Sequence, residues 1–120
     1  MNKIVLISGA SSGIGFASLE KLVSEGHTVY GTVRKYSDKS KITQAGGKPL
    51  IMEMTDYASI KQAVSAVIAE QGRIDVLFNN AGYGLYGSVE ETPISSAKDQ
   101  FDVNLFGLAR LTQLVLPHMR

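Results

Sequence analysis

The stretch Ser8-Gly9-Ala10-Ser11-Ser12-Gly13-Ile14-Gly15 lies between an apolar run, Ile4-Val5-Leu6-Ile7, and a segment with helical spacing over residues 14–25. It reads as strand, glycine-rich turn and helix. Gly9, Gly13 and Gly15 lack a Cβ, so the backbone can take positive φ and approach an anion closely. The start of the helix adds unpaired N–H groups and a partial positive charge. Such a turn is an anion cradle. Its spacing, G-x-x-x-G-x-G, is neither the commonest G-x-G-x-x-G fingerprint nor a P-loop, because no Gly-Lys-Ser/Thr follows. Taken alone, the pattern also suits a tight strand-to-helix turn that uses glycine for geometry.

The chain of 120 residues, 44% of them hydrophobic, is long enough for one domain with a core, and no apolar run is long enough to span a membrane. A formal net charge of +1 points to neither nucleic acid nor an acidic membrane surface. Without cysteine there is no disulfide, thiolate metal site or cysteine nucleophile, and His27 and His118 form no metal motif. No metal is therefore expected. Met1-Asn2-Lys3 leads straight into the first strand without a signal-like segment, which makes the cytoplasm the expected compartment.

Strands are expected over residues 3–8, 28–33, 49–54 and 74–79. Between them lie a helix over 13–25 stopped by Gly26, a short helix over 38–45, and a helix capped by Asp56 and ended near Gly72. The first helix has Leu19, Leu22 and Val23 on one stripe, and the third has Ile60, Val64, Val67 and Ile68. This alternation predicts an α/β fold: a doubly wound parallel sheet of about four strands, order 3-2-1-4, with helices on both faces.

Ligands bind such sheets at the carboxyl ends of the strands. About 20 residues past a glycine turn, a carboxylate normally accepts the ribose hydroxyls of NAD; this chain has Val33 and Arg34 there. A guanidinium suits a 2′-phosphate, so the residues favour NADP over NAD. The competing reading makes Arg34, with Lys35, Lys39 and Lys41, a solvated basic loop. The fourth strand ends in Asn79-Asn80-Ala81-Gly82, small and polar enough for a ring or ribose to pass close by. Residues 83–93 form a glycine-containing loop over that edge.

The last helix is expected to run from Ser95 or Ser96 toward the end of the chain, apolar on nearly every side over residues 105–116. One sheet needs only one apolar stripe, so the surplus predicts a second contact, with further chain or with another copy through the helix at 96–116. Asn104 is its polar exception, either a satisfied core residue or a functional group.

Ser8-Gly9-Ala10-Ser11-Ser12-Gly13-Ile14-Gly15, Asn79-Asn80-Ala81-Gly82 and Phe101-Asp102-Val103-Asn104-Leu105-Phe106-Gly107 together resemble the short-chain dehydrogenase/reductase family, in order and spacing. Ser8 replaces that family's usual Thr, and Glu53 stands where an Asp usually meets the adenine. The resemblance implies a Rossmann-type domain over residues 1–120. In it Gly9, Ser11, Ser12, Gly13, Ile14 and Gly15 hold the pyrophosphate and Arg34 the 2′-phosphate. Glu53 and Met54 meet the adenine edge, Asn80, Ala81 and Gly82 the adjoining ribose. It makes Asn104 the active-site Asn that bends its helix and orders a water in the proton relay. It also implies hydride transfer between NADP(H) and an alcohol or ketone, with residues 83–93 similar to members acting on steroid, retinoid or other apolar carbonyls.

Family members carry a catalytic Ser on the next strand and a Tyr-x-x-x-Lys pair on the helix after it, and these 120 residues include neither. The expectation is a cofactor-binding part that does not turn over alone. Tyr57-Ala58-Ser59-Ile60-Lys61 fits the letters of the pair but precedes Asn80 and Asn104, where the family has no catalytic group. The alternatives are a non-catalytic NADP(H)-binding or interaction module, and a methyltransferase on the same sheet, which Arg34 disfavours.

Overall fold

A computed structural model describes residues 2–120. The elements follow as β1 (Ile4–Ile7), α1 (Gly13–Ser24), β2 (Thr28–Val33), α2 (Lys39–Gln44), β3 (Lys48–Ile51), α3 (Tyr57–Gln71) and β4 (Val76–Phe78). A long helix then runs as α4 (Ile94–Phe101), a π turn (Asp102–Gly107) and α5 (Leu108–Val115). The four strands form one parallel sheet in the order β3-β2-β1-β4, as the alternation of elements predicts.

β1 lies in the middle and is buried on both sides, which is why all four of its residues are apolar. Its side chains alternate between two cores. Ile4 and Leu6, with Tyr30 of β2, pack under α3 and α5; Val5 and Ile7, with Val29 and Val33, pack under α1 and α2. Gly31 faces α1, where a Cβ would lie 2.7 Å from Leu19 Cδ1 and 2.8 Å from Ala10 Cβ, so α1 sits close against the sheet.

Local signals fix the helix ends. The Asp56 carboxylate accepts from the N–H groups of Ala58 and Ser59 at the start of α3, and Gly72 closes that helix at φ 75°. Farther along α3, Glu70 accepts from the Tyr30 hydroxyl at 2.7 Å and pairs with Lys48 at 3.0 Å, tying the helix to β2 and β3. Burial pushes the Tyr30 hydroxyl up, while the Tyr30 and Lys48 donors hold the Glu70 carboxyl below its usual range.

Three elements depart from the sequence expectation. β3 stops at Ile51 rather than 54: Met52 N–H still reaches Val33 O at 3.0 Å, but the Glu53 N–H goes to Ser59 Oγ and the chain turns into α3. β4 is shorter at both ends, because Asp75 uses its side chain as well as its N–H to bond Ile4, and Asn80 N–H folds back on Phe78 O. The last helix widens into the π turn around Asn104, whose amide is drawn onto the backbone of Tyr83, and Gly107 lets that turn lie against Met54 O. No helix among the described residues is long and apolar enough to cross a membrane.

Asp75 joins β4 to β1 through an ionised carboxylate. Its Oδ2 accepts from Ile4 N–H at 2.7 Å and from Arg73 Nε at 3.0 Å, and these bonds hold the carboxyl below its ordinary 3.8. A lowered native pKa means that this stabilisation is complete above 3.8 and disappears as pH falls through the lower folded-state value. The gap in melting temperature between wild type and Asp75→Asn is therefore expected to be full at pH 6 and to close in the acid range below 3.8. Thermal melts across that range check this; a gap independent of pH would refute it.

Candidate functional site

The carboxyl end of β1 and the end of β4 are locked together by one hydroxyl. Ser8, 1% exposed, accepts on its Oγ from the N–H groups of Asn80 and Ala81, each at 3.1 Å, and its own N–H donates to Phe78 O at 3.1 Å. Asn80 returns the tie, donating from Nδ2 to Gly9 O at 2.8 Å. Nothing larger than glycine fits between. A Cβ on Gly9, which has φ 69°, would lie 2.9 Å from Ala81 Cα; one on Gly15 would strike Gly9 O and approach Asn80 Nδ2 to 2.5 Å. β2 supplies a third support, since Thr32 Oγ1 accepts Gly9 N–H at 2.9 Å.

This frame leaves a cleft of about 1160 Å³ along the carboxyl edge of the sheet. Gly9, Ser11, Ser12 and Ile14 line one wall, Arg34 and Glu53 the ends of β2 and β3, and Asn80, Ala81 and Gly82 the end of β4. Met54 also lines it, although its side chain is only 4% exposed and packs in the core under α3. α1 begins at this wall without a side-chain cap on its first N–H groups and without an acidic residue in its first turn. Ile14, in that first turn, is 73% exposed beside the cleft.

The remaining candidates sit differently. Gly13 and Gly15 shape the turn without lining the cleft, Gly13 at φ 59° with open space beyond it. Asn104 does not line it either. Its Oδ1 accepts Tyr83 N–H at 3.0 Å and its Nδ2 donates to Tyr83 O at 2.6 Å, so both ends of the amide hold the loop after β4. A Cβ on Gly82 would come 2.8 Å from Asn104 Oδ1. Tyr57 and Lys61 are exposed on α3 and away from the cleft lining.

Arg34 and Glu53, each a candidate on its own, are paired: Arg34 Nε donates to Glu53 Oε2 at 3.1 Å. Sequence reasoning missed this bond, and it missed Thr32, Asp99 and Asp102 in the lining. It also missed that Lys41 donates to Ser11 O at 2.5 Å while its ammonium lies over the Phe16 ring. Among the described residues no cluster of three His, Cys, Asp or Glu side chains could hold a metal ion.

The family model described as short chain dehydrogenase matches residues 3–120. The chain belongs to the short-chain dehydrogenases. It is 42% identical over 119 residues to the 3-ketodihydrosphingosine reductase of Bacteroides thetaiotaomicron, covering 98% of this chain and 42% of that protein. The NADPH-dependent 3-dehydrocapnine reductase of Ornithobacterium rhinotracheale is 34% identical, with 95% of this chain and 42% of the relative covered. Human retinol dehydrogenase 8 is 36% identical over 98% of this chain and 40% of its own. A short-chain dehydrogenase structure from Streptomyces avermitilis superimposes with a TM-score of 0.95 at 39% identity, covering 100% of this chain and 45% of that one. The chain thus spans less than half the length of these short-chain dehydrogenase relatives.

Ser8 is the element of this site whose loss is simplest to read. In Ser8→Ala the part-buried Ala81 N–H loses its acceptor, and a loss of about 1 kcal/mol in urea unfolding is expected. An unchanged midpoint would mean that the two strand ends do not depend on this hydroxyl.

Proposed function

We propose that these residues bind NADP(H) for an oxidoreductase that interconverts an alcohol and a carbonyl. The observation that carries the proposal is the uncapped start of α1, opening with Gly9 onto a cleft that has Arg34 at its other strand end. Backbone N–H groups of the first turn suit a pyrophosphate, and Ser11, Ser12 and Ile14 lie where it would run. Arg34 suits a 2′-phosphate. Glu53 and the backbone at Met54 are assigned to the adenine edge, and Asn80, Ala81 and Gly82 to the adjoining ribose. The NADPH dependence in the name of one relative supports this choice of cofactor.

A nicotinamide bound there would supply hydride to a carbonyl carbon or, in the reverse direction, accept it from the carbon of the alcohol. This chain's own residues bind and orient. Asn80 closes the floor through Gly9 O, and Asn104 holds the Tyr83 loop in place, a positioning role in the proposed chemistry. The Tyr57 and Lys61 pair does not line the cleft, so the proposal gives this chain cofactor binding without proton transfer, and no turnover on its own. Relatives named for 3-ketodihydrosphingosine and retinol support an apolar carbonyl as substrate of the complete enzyme. Phe101, Leu105 and Phe106 are exposed along the last helix, and we assign that face to a second copy of the chain.

Calorimetric titration with NADPH and NADH tests the central reading. NADPH is expected to bind the tighter. Loss of one charge-assisted contact in Arg34→Ala is expected to weaken NADPH by about 1.5 kcal/mol, roughly tenfold, with NADH little changed. Equal affinities for both cofactors in wild type and variant would refute the assignment of Arg34.

A further inference from the structure

β2 ends without a carboxylate of its own, yet one stands beside its last residues. Glu53, from the segment after β3, places Oε2 3.1 Å from Arg34 Nε. The backbone under Glu53 is fixed without help from its side chain. Its N–H donates to Ser59 Oγ at 2.9 Å, and its carbonyl lies 2.9 Å from the same hydroxyl. Met52 N–H donates to Val33 O at 3.0 Å, which holds the segment after β3 against the end of β2. Met52 and Met54 are buried, 2% and 4% exposed, and the side chain between them faces the cleft. The pair therefore forms just past the ladder, where the chain leaves β3 beside the end of β2.

Two of the other cations near this end are engaged elsewhere. Lys41 lies on Ser11 O and the Phe16 ring, and Lys39 lies over the Tyr36 ring. Arg34 and Lys35 are the cations that line the cleft.

We infer that Glu53 sets the cofactor preference of the site by competing for Arg34. The inference deepens the NADP reading above and rests on it. A 2′-phosphate must displace the Glu53 carboxylate from the guanidinium and then lie near a like charge, so Glu53 weakens NADPH binding. The hydroxyls of an unphosphorylated ribose can donate to that same carboxylate, so Glu53 supports NADH binding. Its presence narrows the difference between the two cofactors. Arg34 and Glu53 side chains are 77% and 39% exposed, and solvent screening limits the effect to a few-fold.

Glu53→Gln is the direct test, because it keeps the length and an acceptor for an adenine amino group while removing the charge. The purified chain and its Glu53→Gln, Arg34→Ala and double variants are titrated with NADPH and NADH, and with 2′,5′-ADP and 5′-AMP to isolate the phosphate. Glu53→Gln is expected to raise the NADPH-over-NADH affinity ratio about fivefold, and by a smaller factor in the Arg34→Ala background, where no guanidinium is left to compete for. Thermal melts confirm that each variant folds. Should Glu53→Gln fail to fold, Glu53→Asp, with its shorter reach to Arg34, is expected to shift the ratio the same way by a smaller factor. A ratio unchanged or lowered in the folded variant, while Arg34→Ala still abolishes the NADPH preference, overturns the role of Glu53 and leaves the phosphate site standing. If Arg34→Ala leaves the wild-type preference intact, the phosphate reading falls and this inference with it.

Discussion

The bond set joining Ser8 and Gly9 to Asn80 and Ala81 is the constraint on which the rest depends. β1 and β4 are neighbours, but the chain leaves them toward opposite faces, into α1 from one and toward α5 from the other. A crevice opens where strand order reverses in this way. The cost is that two strand ends diverge with polar backbone between them, and the Ser8 hydroxyl and Asn80 amide satisfy those groups. The frame has room for no Cβ at Gly9 or Gly15, so glycine is required by contact at both and by φ as well at Gly9. The residues that shape the crevice are thus mostly consumed in holding it: Asn80 Nδ2 is spent on Gly9 O, and Asn104 on Tyr83. The open N–H groups at the start of α1 are left to face a ligand there.

Element order was legible because apolar runs and helical stripes alternate with glycine stops, and because Asp56 caps α3 by a local rule that needs no partner far away. What escaped was settled by side chains bonding backbone at a distance. Ser59 ends β3 early, and Asp75 takes a place in the ladder that a strand residue would have filled through its backbone. Neither effect leaves a mark in hydrophobic periodicity. Asn104 stood out in the sequence as a polar residue in an apolar helix, but its partner lies 21 residues earlier in an irregular loop, and no spacing rule predicts the π turn that results. The same reason hid the Arg34 and Glu53 pair. Arg34 was a candidate by its place after a strand and Glu53 through the family resemblance, and only the pairing of β2 with β3 brings them into contact.

Thr32 illustrates a different blindness. In Thr28-Val29-Tyr30-Gly31-Thr32-Val33 a threonine reads as one more β-branched strand residue. Its hydroxyl in fact receives Gly9 N–H in a site where Thr32 is 2% exposed, so it props the glycine turn from the side of β2. A buried hydroxyl at a strand's carboxyl end is a signal worth reading, since burial without a partner would be costly.

The charges around the cleft argue for short-range recognition. Arg34 and Lys35 share the lining with Asp38, Glu53, Asp99 and Asp102, so the site presents more carboxylates than cations. A general positive field would attract any polyanion; this lining does not provide one. An anionic ligand must be held by groups that act within hydrogen-bond reach, namely the open N–H groups of α1 and the guanidinium of Arg34. Selectivity then follows from which acceptor the guanidinium meets. On the proposed reading, because Glu53 already meets it, phosphorylated and unphosphorylated ribose differ by a contest between two anions for that guanidinium, and the turn of the chain after β3 that sets Glu53 beside Arg34 becomes part of the selectivity.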